Sequence, residues 1–164
     1  MRKTILLLAM LATAICSVAQ VGWNTEEYHA DELKGTKGYT AYIYTDSKGD
    51  YFVLWSHKDD EFRITSNSYI FDYYGSSRSF KVIIGLYDEN DNLVKKIECN
   101  AFTDDENSHM AYVHRRNAKQ TINHIRENKG YVRIIAPLYS TLSDYDLKVP
   151  CFNSEPIKKN GDDL

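Results

Sequence analysis

The 164-residue chain predicts a mainly β protein, an antiparallel β-sandwich of about eight strands with one or two short helices. Three observations carry that expectation. Short runs rich in Tyr, Phe, Val and Ile recur between clusters of Gly, Asp, Asn and Ser. Within several runs, apolar and polar residues alternate, the period of a strand with one buried face. A single later segment shows clear helical spacing instead.

The chain opens with Met1-Arg2-Lys3, an apolar run from Ile5 to Ile15, and then Ser17-Val18-Ala19. A basic start, an apolar stretch and small residues before a cut make residues 1–19 a secretory signal peptide, with the mature chain beginning at Gln20. The apolar run is shorter than the ~20 residues a membrane-crossing helix needs, and no later stretch approaches that length. Export and release into the periplasm or the extracellular space is the expectation. Cys16 raises the alternative of a lipid anchor, but Ile15 precedes it, where the lipoprotein peptidase takes a small side chain.

Cleavage removes Arg2 and Lys3 and no acid, taking the formal net charge from −3 to −5. That sign argues against nucleic acid and anionic membrane as partners. The remaining length of about 145 residues suits one domain with a real core.

Residues 20–38 read as a polar lead-in, with a short helix from Thr25 to Lys34 stopped by Gly35. The sandwich domain is expected over residues 39–152. Its strands are Tyr39–Thr45, Tyr51–Ser56, Glu61–Thr65, Tyr69–Tyr74, Ser79–Tyr87, Leu93–Cys99, Tyr131–Leu138 and Tyr145–Phe152. Phe80, Val82, Ile84 and Leu86 share one face, as do Leu93, Ile97 and Cys99 in the next run, and Tyr145, Leu147, Val149 and Cys151 in the last. Asp46 to Asp50, with Gly49 suited to positive φ, and Asp88 to Asn92 are the expected hairpin loops. Pro150 is easiest to place on an edge strand.

Ala118, Ile122 and Ile125 recur at helical spacing, with Asn117 as N-cap and Gly130 as C-cap. Residues 153–164 lack an apolar period and read as a loose tail.

Cys99 and Cys151 survive cleavage and share inward parity. In an oxidising compartment they are expected to pair, the alternative being two separate buried thiols. The order of elements over residues 61–152 resembles a small periplasmic β-sandwich type, that of invasion-associated locus B proteins and type VI secretion accessory lipoproteins. Its carriers are the long Phe80–Tyr87 strand, a hairpin, the helix with Ile122 and Ile125, Tyr131-Val132-Arg133-Ile134, and a closing strand at Tyr145-Asp146-Leu147. The chain departs from the type in its tyrosine-rich middle and in lacking an Arg-x-Asp strand signature. The resemblance implies an accessory or interaction role in the bacterial cell envelope.

No residue set points to a catalytic or metal centre, and no cofactor is expected. Asp88-x-Asn90-x-Asn92 opens like a calcium loop, but Leu93 stands where the loop needs Gly and Cys99 where it needs Glu. Asp104, Asp105 and Glu106, and the run His57 to Glu61, offer carboxylates that an acid–base pair would use; a charge run between strands is more often a solvated loop. His109, His114 and His124 lack a zinc spacing. Thirteen tyrosines remain. Tyr42 and Tyr44 share one face, and Tyr69, Phe71 and Tyr73 another. These five are the candidate binding face for a protein or glycan partner, with plain sheet packing as the alternative. The chain reads as an exported non-catalytic binding or accessory module, the alternatives being an extracytoplasmic hydrolase using acidic loop residues and a structural envelope component.

Overall fold

A computed structural model describes residues 21–68, 70–72, 78–103, 109–139, 143–155 and 157–159. The expected signal segment, Tyr69, Tyr73, Tyr74 and the Asp104 to Glu106 carboxylates lie outside the described residues. Strands β1 (Gly22–Tyr28), β2 (Tyr39–Thr45), β3 (Tyr51–Trp55) and β4 (Glu61–Thr65) are followed by β5 (Ser79–Tyr87), β6 (Leu93–Thr103) and β7 (Met110–His114). Helix α1 (Arg115–Glu127), β8 (Tyr131–Ala136), β9 (Tyr145–Pro150) and β10 (Lys158–Lys159) follow among the described residues.

The mainly β, antiparallel class is what the structure has. All ten strands form one sheet in the order β10-β1-β2-β3-β4-β7-β6-β5-β8-β9, with which sandwich packing is compatible. Pairing is antiparallel from β1 to β9, and β10 runs parallel to β1.

Side-chain alternation explains the core. Phe52 and Leu54 of β3 stand opposite Ile64 and Phe62 of β4, while Ile84 of β5 lies between Ile97 and Ile134. Every second residue therefore turns inward, and these residues join Ala118, Ile122 and Ile125 of α1 in one apolar cluster. The sheet's far ends also meet. Trp23 of β1 is fully buried, donates from Nε1 to Pro150 O at 2.9 Å, and packs edge-on against Phe152 with ring centroids 4.7 Å apart.

Both hairpins form as expected. Asp46 Oδ1 accepts the N–H groups of Lys48 and Asp50, and Gly49 has φ +82°. Asp88 Oδ1 accepts from Asn90 and Asn92, each at 2.9 Å, and Oδ2 from the Asn92 amide at 3.1 Å. These bonds hold its carboxyl below the usual range, led by the Asn92 backbone bond, and tie it into the turn.

Several expectations are corrected. The helix expected over Thr25–Lys34 is replaced by β1, which pairs with β2 over seven residues, and by a turn closed by the Asp31–Thr36 bridge. Burial of Trp23 and a full ladder outweigh the local polarity of Glu26 and Glu27, which sit where the sheet is open to solvent. Of the strand expected over Tyr69–Tyr74 only residues 70–72 are described, and there Phe71 makes an isolated bridge to Leu138. The described residues of the tail, 153–155 and 157–159, fold back instead of staying loose, with Ser154 Oγ accepting Gly130 N–H at 2.7 Å, Ile157 against the core and β10 on β1. Strand β7 was not expected at all.

Helix α1 begins two residues before Asn117, at a His114 N-cap with no side-chain cap bond. Asn117 instead lies in the first turn, its carbonyl accepting from Thr121 Oγ1 at 2.9 Å. Asn128, not Gly130, is the C-cap.

Cys99 and Cys151 are both free, which overturns the expected pairing. Their shared inward parity does not put them in one row. Cys99 lies opposite Val82, whose row runs toward the Ala136–Tyr145 end of β8 and β9. Cys151 follows the opposite end of β9, with β5 and β8 between. Burial pushes both thiols up to about 11. Both are therefore expected to resist alkylation in the native protein at neutral pH and to react without prior reduction once unfolded; mass spectrometry of unfolded, unreduced protein showing neither residue labelled would contradict this.

Candidate functional site

Five residues were expected to form an aromatic binding face, and the described ones serve the core instead. Tyr42 and Tyr44 pack against the apolar cluster, Tyr44 5.6 Å from Trp23 and Tyr42 5.2 Å from Phe152 by ring centroids. Phe71 is fully buried and stacked on Phe80. Tyr69 and Tyr73 lie outside the described residues. The register decides this, because Trp23, Tyr44 and Phe52 share one cross-strand row. Outward aromatics do exist elsewhere: Tyr28 stacks on Tyr39, Lys58 lies over Trp55 and Arg63 over Tyr51.

A cleft of about 980 Å³ opens where β4, β6, β7 and the start of α1 meet, lined by Asp60, Glu61, Cys99, Asn100, Phe102 and residues 114–117. Its origin is a split in the sheet. Strand β6 pairs with β5 along nearly its whole length, but with β7 just at Phe102 and Thr103. Beyond that point β7 turns into α1, and among the described residues β6 from Leu93 to Ala101 has no partner on that side. Neighbouring strand residues point to opposite faces. A cavity touched by both Cys99 and Asn100 therefore lies at the strand's edge.

The turn from strand to helix has no linking residues. Arg115 achieves it with φ +63°, a left-handed conformation that strains a side chain-bearing residue by ~1 kcal/mol or more. Its N–H donates to Asp60 O at 2.6 Å, which ties β4 to the start of the helix.

Across the antiparallel β4–β7 pair Glu61 faces His114, and Glu61 Oε2 is 3.0 Å from His114 Nδ1. Glu61 Oε1 also accepts from Lys58 Nζ at 2.5 Å. Nearby, Lys119 donates to Asp59 at 2.6 Å, a bond that holds the Asp59 carboxyl down and the Lys119 ammonium up. Asp59 and Glu61 are thus engaged and the Asp60 carboxylate also lines the cleft, while among the described residues Arg115 and Arg116 have no acidic partner within ion-pair distance. The cleft thus carries two guanidinium groups without ion-pair partners in a chain of negative net charge. The Cys99 thiol, raised by burial, is a poor nucleophile at neutral pH.

The chain matches no protein-family model, no curated protein and no solved structure to which it was compared.

A second cleft, of about 510 Å³, lies between the Asp88 turn and the segment after β9. Its groups are matched to one another. The Tyr131 hydroxyl donates to the Asp91 carboxylate, which pushes the phenol up to about 12, Lys148 lies 3.6 Å from the Tyr131 ring centroid, and Lys129 pairs with Glu89 at 3.6 Å. The first cleft stands apart because it combines unpaired cations with an open backbone edge.

Of the cleft residues, the sequence had marked the run His57 to Glu61 and noted His114, but separately. Fifty-three positions of chain part Glu61 from His114, and it takes the β4–β7 register to join them. Arg115 and Arg116 carried no local signal. Among the described residues no helix is long and apolar enough to cross a membrane.

Proposed function

We propose that this protein is an exported binding module of the cell envelope whose ligand enters the cleft between β6 and the β7–α1 junction. The observation that carries the reading is the pair of arginines without acidic partners beside an open strand edge, with Phe102 41% exposed at the same place. Guanidinium groups give directed, paired donors for an anionic group, and an exposed ring adds apolar contact area. The resemblance to small periplasmic accessory proteins points the same way.

Amide chemical-shift mapping with candidate peptides and oligosaccharides tests the proposal. A bound ligand should move the signals of Asn100, Phe102 and residues 114–117, and Arg116→Glu should weaken binding at least tenfold, about 1.4 kcal/mol. Ligands that bind while leaving those signals in place would sink it.

A second reading, an extracytoplasmic hydrolase, rests on the Glu61–His114 contact. A carboxylate on Nδ1 orients the ring and leaves Nε2 as the nitrogen for proton transfer. Turnover of a cleft ligand that His114→Gln abolishes without loss of binding would favour the hydrolase over the binding module.

A further inference from the structure

Among the described residues, β1, β9 and β6 each have a stretch of edge without a partner strand, and these edges differ in kind. Strand β1 beyond Thr25 presents Glu26 and Glu27, since β10 covers Asn24 and Thr25. Strand β9 ends in Pro150, which lacks the N–H that a ladder needs. The edge of β6 from Leu93 to Ala101 contains no proline and runs into the cleft. Lys95, Lys96 and Glu98 stand on the strand, and Arg115 and Arg116 line the cleft with Asp60 and Glu61. Lys96 is matched by Glu98 at 2.6 Å; Lys95 and the two arginines have no acidic partner within ion-pair distance among the described residues.

Resting on the reading of the cleft as the binding site, we infer that its occupant is an extended acidic segment of a partner protein, added as a further strand to the open edge of β6. Unpaired N–H and C=O groups along the edge supply the ladder that a peptide completes. Lys95, Arg115 and Arg116, the three cations without an acidic partner among the described residues, select its charge. A second copy of this chain is the wrong occupant, because edge-to-edge pairing would bring the same lysines and arginines face to face. The geometry also sets a frame: alternate peptide residues direct both backbone groups toward β6, and the intervening ones direct theirs away.

Selection of displayed random ten-residue peptides on the full protein, with synthesis of the winners, tests the inference. The selected peptides should carry acidic residues at alternate positions. N-methylation of one alternate set of their backbone nitrogens should weaken binding at least tenfold, and methylation of the other set should leave it within twofold. Binding should slow amide exchange in Lys95–Ala101, and Lys95→Glu and Arg116→Glu, both at exposed positions and checked for native circular dichroism, should each weaken it about tenfold. Winners without acidic residues, tolerance of methylation in both frames, protection at β1 or β9, or no winners at all would each overturn strand addition. If an oligosaccharide or other small ligand still moves the cleft signals in that case, the cleft remains the binding site; if nothing does, both proposals fall.

Discussion

Trp23→Ala is expected to destabilise the protein by ~4 kcal/mol, in the range for truncating a buried large aromatic. Denaturant unfolding followed by circular dichroism measures it, and a loss below about 1 kcal/mol would contradict the packing described. The size follows from position. Trp23 is fully buried, contacts the rings of Tyr44, Phe52 and Phe152, and ties the first long strand to the end of β9 through Pro150 O. Removing it leaves a cavity where the two ends of the sheet meet. Trp23→Phe separates the contributions: it keeps most of the apolar contact but leaves Pro150 O without its donor, at a cost of ~1–2 kcal/mol. A loss with Phe as large as that with Ala would show that the hydrogen bond, not the ring's packing, closes the sheet.

Gly130→Ala is the second large effect, with an expected loss of ~3 kcal/mol or more. Gly130 has φ +104°, a conformation open in practice to glycine. An added Cβ would also stand 2.3 Å from Tyr87 O and 2.5 Å from Asp88 C, both backbone atoms. The end of β5 would have to move, and with it the His124 Nε2 contact to Tyr87 O at 2.9 Å, which anchors the last turns of α1. Gly35→Ala is the internal control. It too has positive φ, +65°, yet an added Cβ meets nothing within 4 Å, so its loss should stay near ~1 kcal/mol. Equal losses at the two glycines would mean that backbone conformation alone, not the close approach to β5, sets the requirement at Gly130.

The expectations that held are local in origin. Strands β2, β4 and β5 have the expected bounds because residues such as Phe80, Val82, Ile84 and Leu86 alternate without interruption, and the hairpins at Gly49 and Asp88 carry their own turn chemistry. The helix was legible from Ala118, Ile122 and Ile125, but its first residue was not. A strand that becomes a helix at Arg115 through a left-handed arginine leaves no glycine and no capping side chain to read.

Composition and period, then, determined by themselves that this chain is mainly β and antiparallel, and that Ala118, Ile122 and Ile125 form the apolar face of a helix, since those properties depend on which side chains can share a face over a few residues. Tertiary structure decided where each face looks. Register put Tyr42 and Tyr44 on the core side, and separated Cys99 from Cys151 by two strands and by opposite ends of the sheet. It also brought Glu61 to His114 across a distance in sequence that no local pattern spans. Pairing between distant strands is a property of the whole sheet, and the cleft exists because one such pairing, β6 with β7, stops after two residues.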